Sequence, residues 1–135
     1  MRSIRIFYFL SKANITLFGD WGSDYLDGGD GFDIVDVGYL TSGFAMSWTI
    51  DLAEGTGTTS NFTEIILNVE GVIGSSLRDT ILGDAGDNFI DGGAGQDSLF
   101  GGNGNDTITG NRGKDTLDGG DGFDIADIAI QRMGG

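Results

Sequence analysis

The sequence predicts an all-β chain wound into a solenoid from nine-residue units, and three periodic observations predict it. Glycine opens each unit, at Gly19 and Gly28 and then at Gly74, Gly83, Gly92, Gly101, Gly110 and Gly119. The sixth place of each unit holds a short polar side chain: Asp24, Asp33, Asp79, Asn88, Asp97, Asp106, Asp115 and Asp124. The eighth place is apolar: Leu26, Val35, Ile81, Ile90, Leu99, Ile108, Leu117 and Ala126. Self-similarity at a fixed short period is the mark of a repeat architecture.

Each place has a physical reading. Glycines at places one, two and four adopt positive φ without steric cost, so the chain bends there and leaves carbonyl oxygens on the inside of the bend. Places seven to nine form a short strand whose middle residue points inward and whose flanks point outward, because strand side chains alternate. Two bends and two strands complete a coil of eighteen residues. Acids on one edge of the stack therefore recur every eighteen residues. Asp79, Asp97 and Asp115 share one edge; Asn88, Asp106 and Asp124 share the other.

The stretch GGAGQDSLFGGNGNDTITG, residues 92 to 110, resembles the nonapeptide GGxGxDxUx of the repeats-in-toxin (RTX), hemolysin-type calcium-binding proteins. The resemblance covers residues 19–36 and 74–127. It implies a parallel β-roll or β-helix with calcium-binding turns, in a non-catalytic module of a secreted bacterial protein. It also implies an extracellular location reached by type I secretion, with folding driven by Ca²⁺.

The residues suit that metal. Two same-edge carboxylates and the carbonyls of flexible turns supply the six to eight oxygens that calcium prefers, whereas magnesium demands a compact octahedron and keeps its water. No EF-hand loop occurs. Asp106 with Asp124 is the cleanest pair, and Asp97 with Asp115 follows. Leu77 replaces a fourth-place glycine and Asn88 replaces an acid, which assigns Asp79 and Asn88 to weaker or capping sites. Asp24 and Asp33 lie on opposite edges and find no partner turn eighteen residues away, where Leu40 to Gly43 replace the turn of the second, and they complete the metal-ligand set as its weakest members.

Composition narrows the function further. Seven Lys and Arg against 21 Asp and Glu give a net charge of −14, which repels nucleic acid and anionic lipid and attracts cations. There is no cysteine for a disulfide or thiolate site, and no histidine for general base or zinc chemistry. With so many aspartates a glycosidase pair can be drawn anywhere, so acid pairing alone does not argue for an enzyme.

The remaining segments are read as follows. Residues 1–18 form an N-terminal capping strand or incomplete repeat, too short in its apolar run for a membrane span and without a cleavage site for an export peptide. Residues 37–73 break the nine-residue phase. In FAMSWTIDL, Phe44, Met46, Trp48, Ile50 and Leu52 alternate as a strand with one buried face. EGTGTTSN reads as a turn, and FTEIILNVEGVIG as strand, although Phe62, Ile65, Ile66 and Val69 also fit a helical face. All three glutamates, Glu54, Glu64 and Glu70, fall in this segment. Residues 128–135 form a C-terminal tail.

A longer echo relates GDWGSDYLDGGDGFDIVDVG from Gly19 to GNRGKDTLDGGDGFDIADIA from Gly110, and suggests part of a longer repeat-containing protein. Two other functions remain open at this level. One is a module for cell-surface or extracellular polysaccharide, such as those attached to alginate epimerases, with Phe18, Tyr25 and Phe100 as exposed aromatics. The other is a calcium-stiffened adhesin spacer.

Overall fold

The structure is a computed structural model and describes residues 6–8, 12–19, 22–38 and 45–127. Among these residues there is no helix. The described residues form fourteen short strands: β1 (Ile6–Tyr8), β2 (Thr16–Leu17), β3 (Tyr25–Asp27), β4 (Ile34–Asp36), β5 (Thr49–Asp51), β6 (Thr56–Thr58), β7 (Thr63–Leu67), β8 (Gly71–Ile73), β9 (Thr80–Leu82), β10 (Phe89–Asp91), β11 (Ser98–Phe100), β12 (Thr107–Thr109), β13 (Thr116–Asp118) and β14 (Ile125–Asp127). Apart from β5, β6 and β7, which lie together in one sheet, they alternate between two sheets as the chain winds. The eight-stranded sheet runs β1-β3-β7-β6-β5-β9-β11-β13, and the six-stranded sheet runs β14-β12-β10-β8-β4-β2.

Pairing within the 74–127 block is parallel and advances by one coil at a time. Leu99 lies beside Ile81 and Leu117, and Ile108 lies beside Ile90 and Ala126. This is the parallel β-roll expected from the eighteen-residue coil. The eighth-place residues stack into one apolar column between the sheets, with Leu26, Val35, Ile81, Ile90, Leu99 and Ile108 all buried. The column thins towards the last coil, where Leu117 is half-buried and Ala126 is exposed.

Within the phase break at 37–73, β5, β6 and β7 form an inserted meander. β5 joins β9 in parallel, then β6 pairs antiparallel with both β5 and β7, and β7 returns to parallel pairing with β3. β7 and β8 are strands, so the helical alternative for residues 62–69 is excluded. Trp48 and Ile50 are buried, which makes them core rather than a sugar-stacking surface. Phe44 and the tail 128–135 lie outside the described residues.

One reading requires correction: EGTGTTSN is not simply a turn. It holds two reversals, one ending at Gly55 and one at Ser60 and Asn61, and Thr56–Thr58 between them is a full strand of the meander. The β-branched threonines favour the pleated surface, and the glycine between them has a packing role. A Cβ on Gly57 would stand 2.9 Å from Ile66 Cδ1 and 3.5 Å from the Trp48 ring. Glycine here lets a buried isoleucine and a tryptophan cross the strand.

Gly57→Ala is therefore expected to lower stability by about 1–3 kcal/mol, the usual cost of overpacking, whereas Ser60→Ala, at an exposed position, should change it by less than about 0.5 kcal/mol. Thermal unfolding in calcium checks both. Equal midpoints for the two variants would contradict the crossing of Gly57 by Ile66.

Candidate metal centres

The sixth-place side chains are tied to one another by a ladder that runs along each edge. The backbone N–H of Asp79 donates to Oδ1 of Asp97 at 2.8 Å, and that of Asp97 donates to Oδ1 of Asp115 at 2.9 Å. On the other edge the N–H of Asn88 donates to Oδ1 of Asp106 at 2.8 Å, and that of Asp106 to Oδ1 of Asp124 at 2.9 Å. Every rung spans eighteen residues. One oxygen of each acid is thus committed to stacking the coils.

The second oxygen is the informative one. It lies against the opening glycine of its own unit: a Cβ on Gly92 would stand 2.7 Å from Asp97 Oδ2, and one on Gly101 would collide with Asp106 Oδ2 and lie 2.7 Å from the Gly119 carbonyl oxygen. Asp97 and Asp106 are 2% and 1% exposed, and their Oδ2 atoms have no hydrogen-bond donor. Buried carboxylate oxygens without a donor are costly, and an incoming proton or cation relieves that cost.

Turn conformation explains why no backbone donor reaches them. Gly93 and Gly102, at second places, have φ of 81° and 97°. In this left-handed conformation the Gly93 N–H turns back to the ninth-place Asp91, donating to its Oδ1 at 3.0 Å, rather than forward to Asp97. Gly120 donates likewise to Asp118 at 3.0 Å.

The units opened by Gly74 and Gly83 are built differently. Their second places are Ser75 and Asp84, neither at positive φ, and both N–H groups point into the turn. Ser75 donates to Asp79 Oδ2 at 2.6 Å, with its hydroxyl adding contacts of 2.9 Å to both oxygens, and Asp84 donates to Asn88 Oδ1 at 2.9 Å. Asp79 and Asn88 are therefore satisfied by their own turns.

Electrostatics follow this geometry. Burial pushes the Asp97 carboxyl up to about 7, with the charges of Asp79, Asp115 and Asp91 adding to the rise and the bond from the Asp79 N–H opposing it. Burial also raises Asp106, and Asp124, Asp87 and Asp84 repel it further. Among the described residues no three acid, histidine or cysteine side chains gather into one cage. A cation here would take two carboxylates at most, with turn carbonyls supplying the rest, which is calcium's preferred diet of oxygens.

Asp24 and Asp33 have carboxylate neighbours that the eighteen-residue rule does not find. The Asp24 N–H donates to Glu64 Oε2 at 2.7 Å, and the Asp33 N–H to Glu70 Oε2 at 2.8 Å. Asp33 Oδ1 accepts the Ile15 N–H at 2.9 Å, eighteen residues away, as the ladder requires. Glu64 and Glu70 are the site residues that sequence reasoning missed. Glu70 stands nine residues before Asp79, in phase with the sixth places, and that was the available signal.

Comparison with protein families places these turns. The model of the RTX calcium-binding nonapeptide repeat matches residues 16–35, 73–108 and 96–126, four copies that span more than half of the chain and include all eight sixth-place candidates. The chain belongs to the RTX calcium-binding nonapeptide repeat family. No individual curated protein matches it. The RTX repeat is a non-catalytic calcium-binding unit of a β-roll, and such repeats are typical of secreted proteins. No helix among the described residues is long and apolar enough to cross a membrane.

The raised carboxyls give a pH prediction for the calcium-free roll. Asp97 keeps its proton up to about 7 when folded but only to about 3.8, its ordinary value, when unfolded. Between these values the folded state binds more protons. Its stability is greatest below the unfolded value and falls as pH rises through the folded one. In excess chelator the thermal midpoint should be higher at pH 5 than at pH 8. A midpoint that stayed level or rose with pH would count against the buried, donorless carboxyls.

Proposed function

We propose that this chain is a calcium-binding, non-catalytic β-roll module of a secreted bacterial protein, and that it completes its folding when calcium arrives outside the cell. The observation that carries the reading is the pair of buried Oδ2 atoms of Asp97 and Asp106, held by the ladder yet without donors. Asp97 with Asp115 and Asp106 with Asp124 are the leading ligand pairs. Asp24 and Asp33 join them through the glutamates that face them. Asp79 and Asn88 have the weakest claim, because their turns already satisfy them. Type I secretion and an extracellular location are supported by the family alone.

Folding on calcium has a physical basis. Each unit orders nine residues but buries only one apolar side chain, so the unit gains little from its core and much from neutralising its acids. The organisation proposed is a first repeat block at 19–36 and a main block at 74–127, joined by the segment 37–73 and flanked by 1–18 and 128–135. Membership of a longer repeat-containing protein is supported by the echo of the segment from Gly19 in the segment from Gly110.

A polysaccharide-binding role is the second reading, and one observation favours it. On the outer face of the six-stranded sheet, Phe32, Ile34, Phe89, Asn105 and Thr107 line an open groove of about 390 Å³. Of the aromatics first considered, Phe18 is 44% exposed while Tyr25 and Phe100 are half-buried, and they do not share this groove. An adhesin spacer would use the same calcium sites.

Calcium titration followed by far-UV circular dichroism tests the main reading. β structure and thermal midpoint should rise with a half-point at about 10⁻⁴–10⁻³ M, the range of extracellular modules. Asp106→Ala should weaken calcium uptake on both sides of its turn. Asp118→Ala, which removes an exposed side chain that accepts the Gly120 N–H in its turn, should cost no more than about 0.5–1 kcal/mol. Identical midpoints in millimolar calcium and in excess chelator would refute calcium-driven folding.

A further inference from the structure

The junction between the first repeat block and the inserted meander carries a constellation that the repeat does not supply. The turn from β3 to β4 has the regular form, with Gly29 and Gly31 at φ of 82° and 126° and the Gly29 N–H turned back to Asp27 Oδ1 at 3.1 Å. Its acid, Asp33, is 0% exposed, and its Oδ2 has no donor. The coil that stacks on it has no regular turn. Between β7 and β8 only three residues intervene, Asn68, Val69 and Glu70, in place of the usual six.

That short connection nevertheless reproduces the oxygen geometry of a repeat. Gly28 donates to the Leu67 carbonyl at 3.0 Å, just as Gly101 donates to the Asp118 carbonyl at 2.8 Å. A Cβ on Gly28 would collide with the Asn68 carbonyl oxygen and stand 2.6 Å from Asp33 Oδ2, the same two oxygens that crowd Gly101 in the main block. Asn68 takes φ of 53°, a left-handed conformation that asparagine tolerates. Glu70 then reaches back with its longer side chain to accept the Asp33 N–H. The Glu70 and Gly71 N–H groups both bond the Asp33 carbonyl at 2.9 Å, which locks the two coils together.

Two carboxylates thus face each other across this junction, and among the described residues neither is bonded to a lysine or arginine. Burial raises the Glu70 carboxyl, the bond from Asp33 opposes it, and the charges of Asp33 and Asp84 raise it further. Asn68 and Glu70 lie outside the residues that the family model matches.

We propose that Asp33, Glu70 and the carbonyl oxygen of Asn68 form a separate site for a hard divalent cation of the calcium class, clamping the meander to the first repeat block. It rests on the calcium-binding reading above and extends it to a site in which a glutamate from a three-residue connection stands in for the repeat aspartate. The clamp differs from the repeat sites in its consequence: filling it fixes the register between β4 and β8, and with it the position of the whole insertion.

The test is calcium stoichiometry of the full chain by native mass spectrometry at saturating calcium, for the wild type, Glu70→Gln and Asp106→Asn. Glutamine keeps an oxygen for the Asp33 N–H and removes the charge. Glu70→Gln is expected to bind one calcium fewer than the wild type while keeping calcium-induced amide protection across 92–110. The wild type gives a reading that needs no variant: amide exchange at Glu70 and Gly71 should slow when calcium is added. Wild-type stoichiometry in Glu70→Gln, or exchange at Glu70 and Gly71 indifferent to calcium while 92–110 slows, overturns the junction site alone. A wild type that takes up no calcium overturns the calcium-binding reading as well. If Glu70→Gln fails to fold, the wild-type exchange decides.

Discussion

The stacking of this roll depends on a single carboxylate placed to serve two neighbours. In a regular unit the sixth-place acid gives one oxygen to the N–H of the preceding coil and rests the other against the opening glycine of its own turn. The first contact fixes the eighteen-residue register. The second forbids a side chain at place one, because a Cβ would meet the oxygen or the carbonyl of the next coil. The glycine and the aspartate of the repeat are therefore one constraint seen from two ends. The period of nine is a six-residue bend plus three residues of strand.

The insertion shows the same constraint under different lengths. Where the bend shrinks to Asn68, Val69 and Glu70, the acid lengthens by one methylene and still accepts the N–H of the acid before it. Where a strand enters directly, Glu64 does the same for Asp24. Much of the fold was legible in the sequence for this reason. The glycine and eighth-place periods located β9 to β14, with the buried residue in the middle of β9 to β12. The meander was less legible because its pairings are set by tertiary contact: Thr56–Thr58 is too short to show a period, and Gly57 reads as a turn residue until Ile66 and Trp48 are seen crossing it. The acids Glu64 and Glu70 escaped because their units lack the glycines that mark the phase elsewhere.

Candidate ligands were legible as residue types but not as a ranking, which comes from donors that sequence does not display. Asp79 and Asp97 have the same letter and the same place in the unit. They differ because Ser75 sends its N–H and hydroxyl into the turn while Gly93 sends its N–H out to Asp91. A serine at place two makes a turn that closes on itself, and a glycine at positive φ makes a turn that leaves an oxygen for something else. The demand for a cation is thus graded along the roll by the second place of each unit.

This grading has a structural consequence when set beside the meander. The self-satisfied turns of Asp79 and Asn88 begin β9 and β10, and β9 is the strand on which β5 of the meander pairs. Trp48, Ile50 and Ile66 add core in the same region. The coils that receive this added core are also those whose acids already have donors. The coils on either side, with Asp33 in one direction and Asp97 and Asp106 in the other, carry the donorless oxygens. The eight-stranded sheet is wider here by two strands, roughly 9–10 Å at the usual strand spacing, while β8 in the opposite sheet touches both β4 and β10 directly. On the eight-stranded side, where β7, β6 and β5 stand between β3 and β9, Asp24 and Asp79 consequently cannot share one straight stack, and Asp24 takes Glu64 from the insertion instead. On the six-stranded side Glu70 carries the stack across, accepting the Asp33 N–H with its carboxylate and the Asn88 Nδ2–H with its carbonyl oxygen, so the insertion supplies an acid to the first repeat block on both edges.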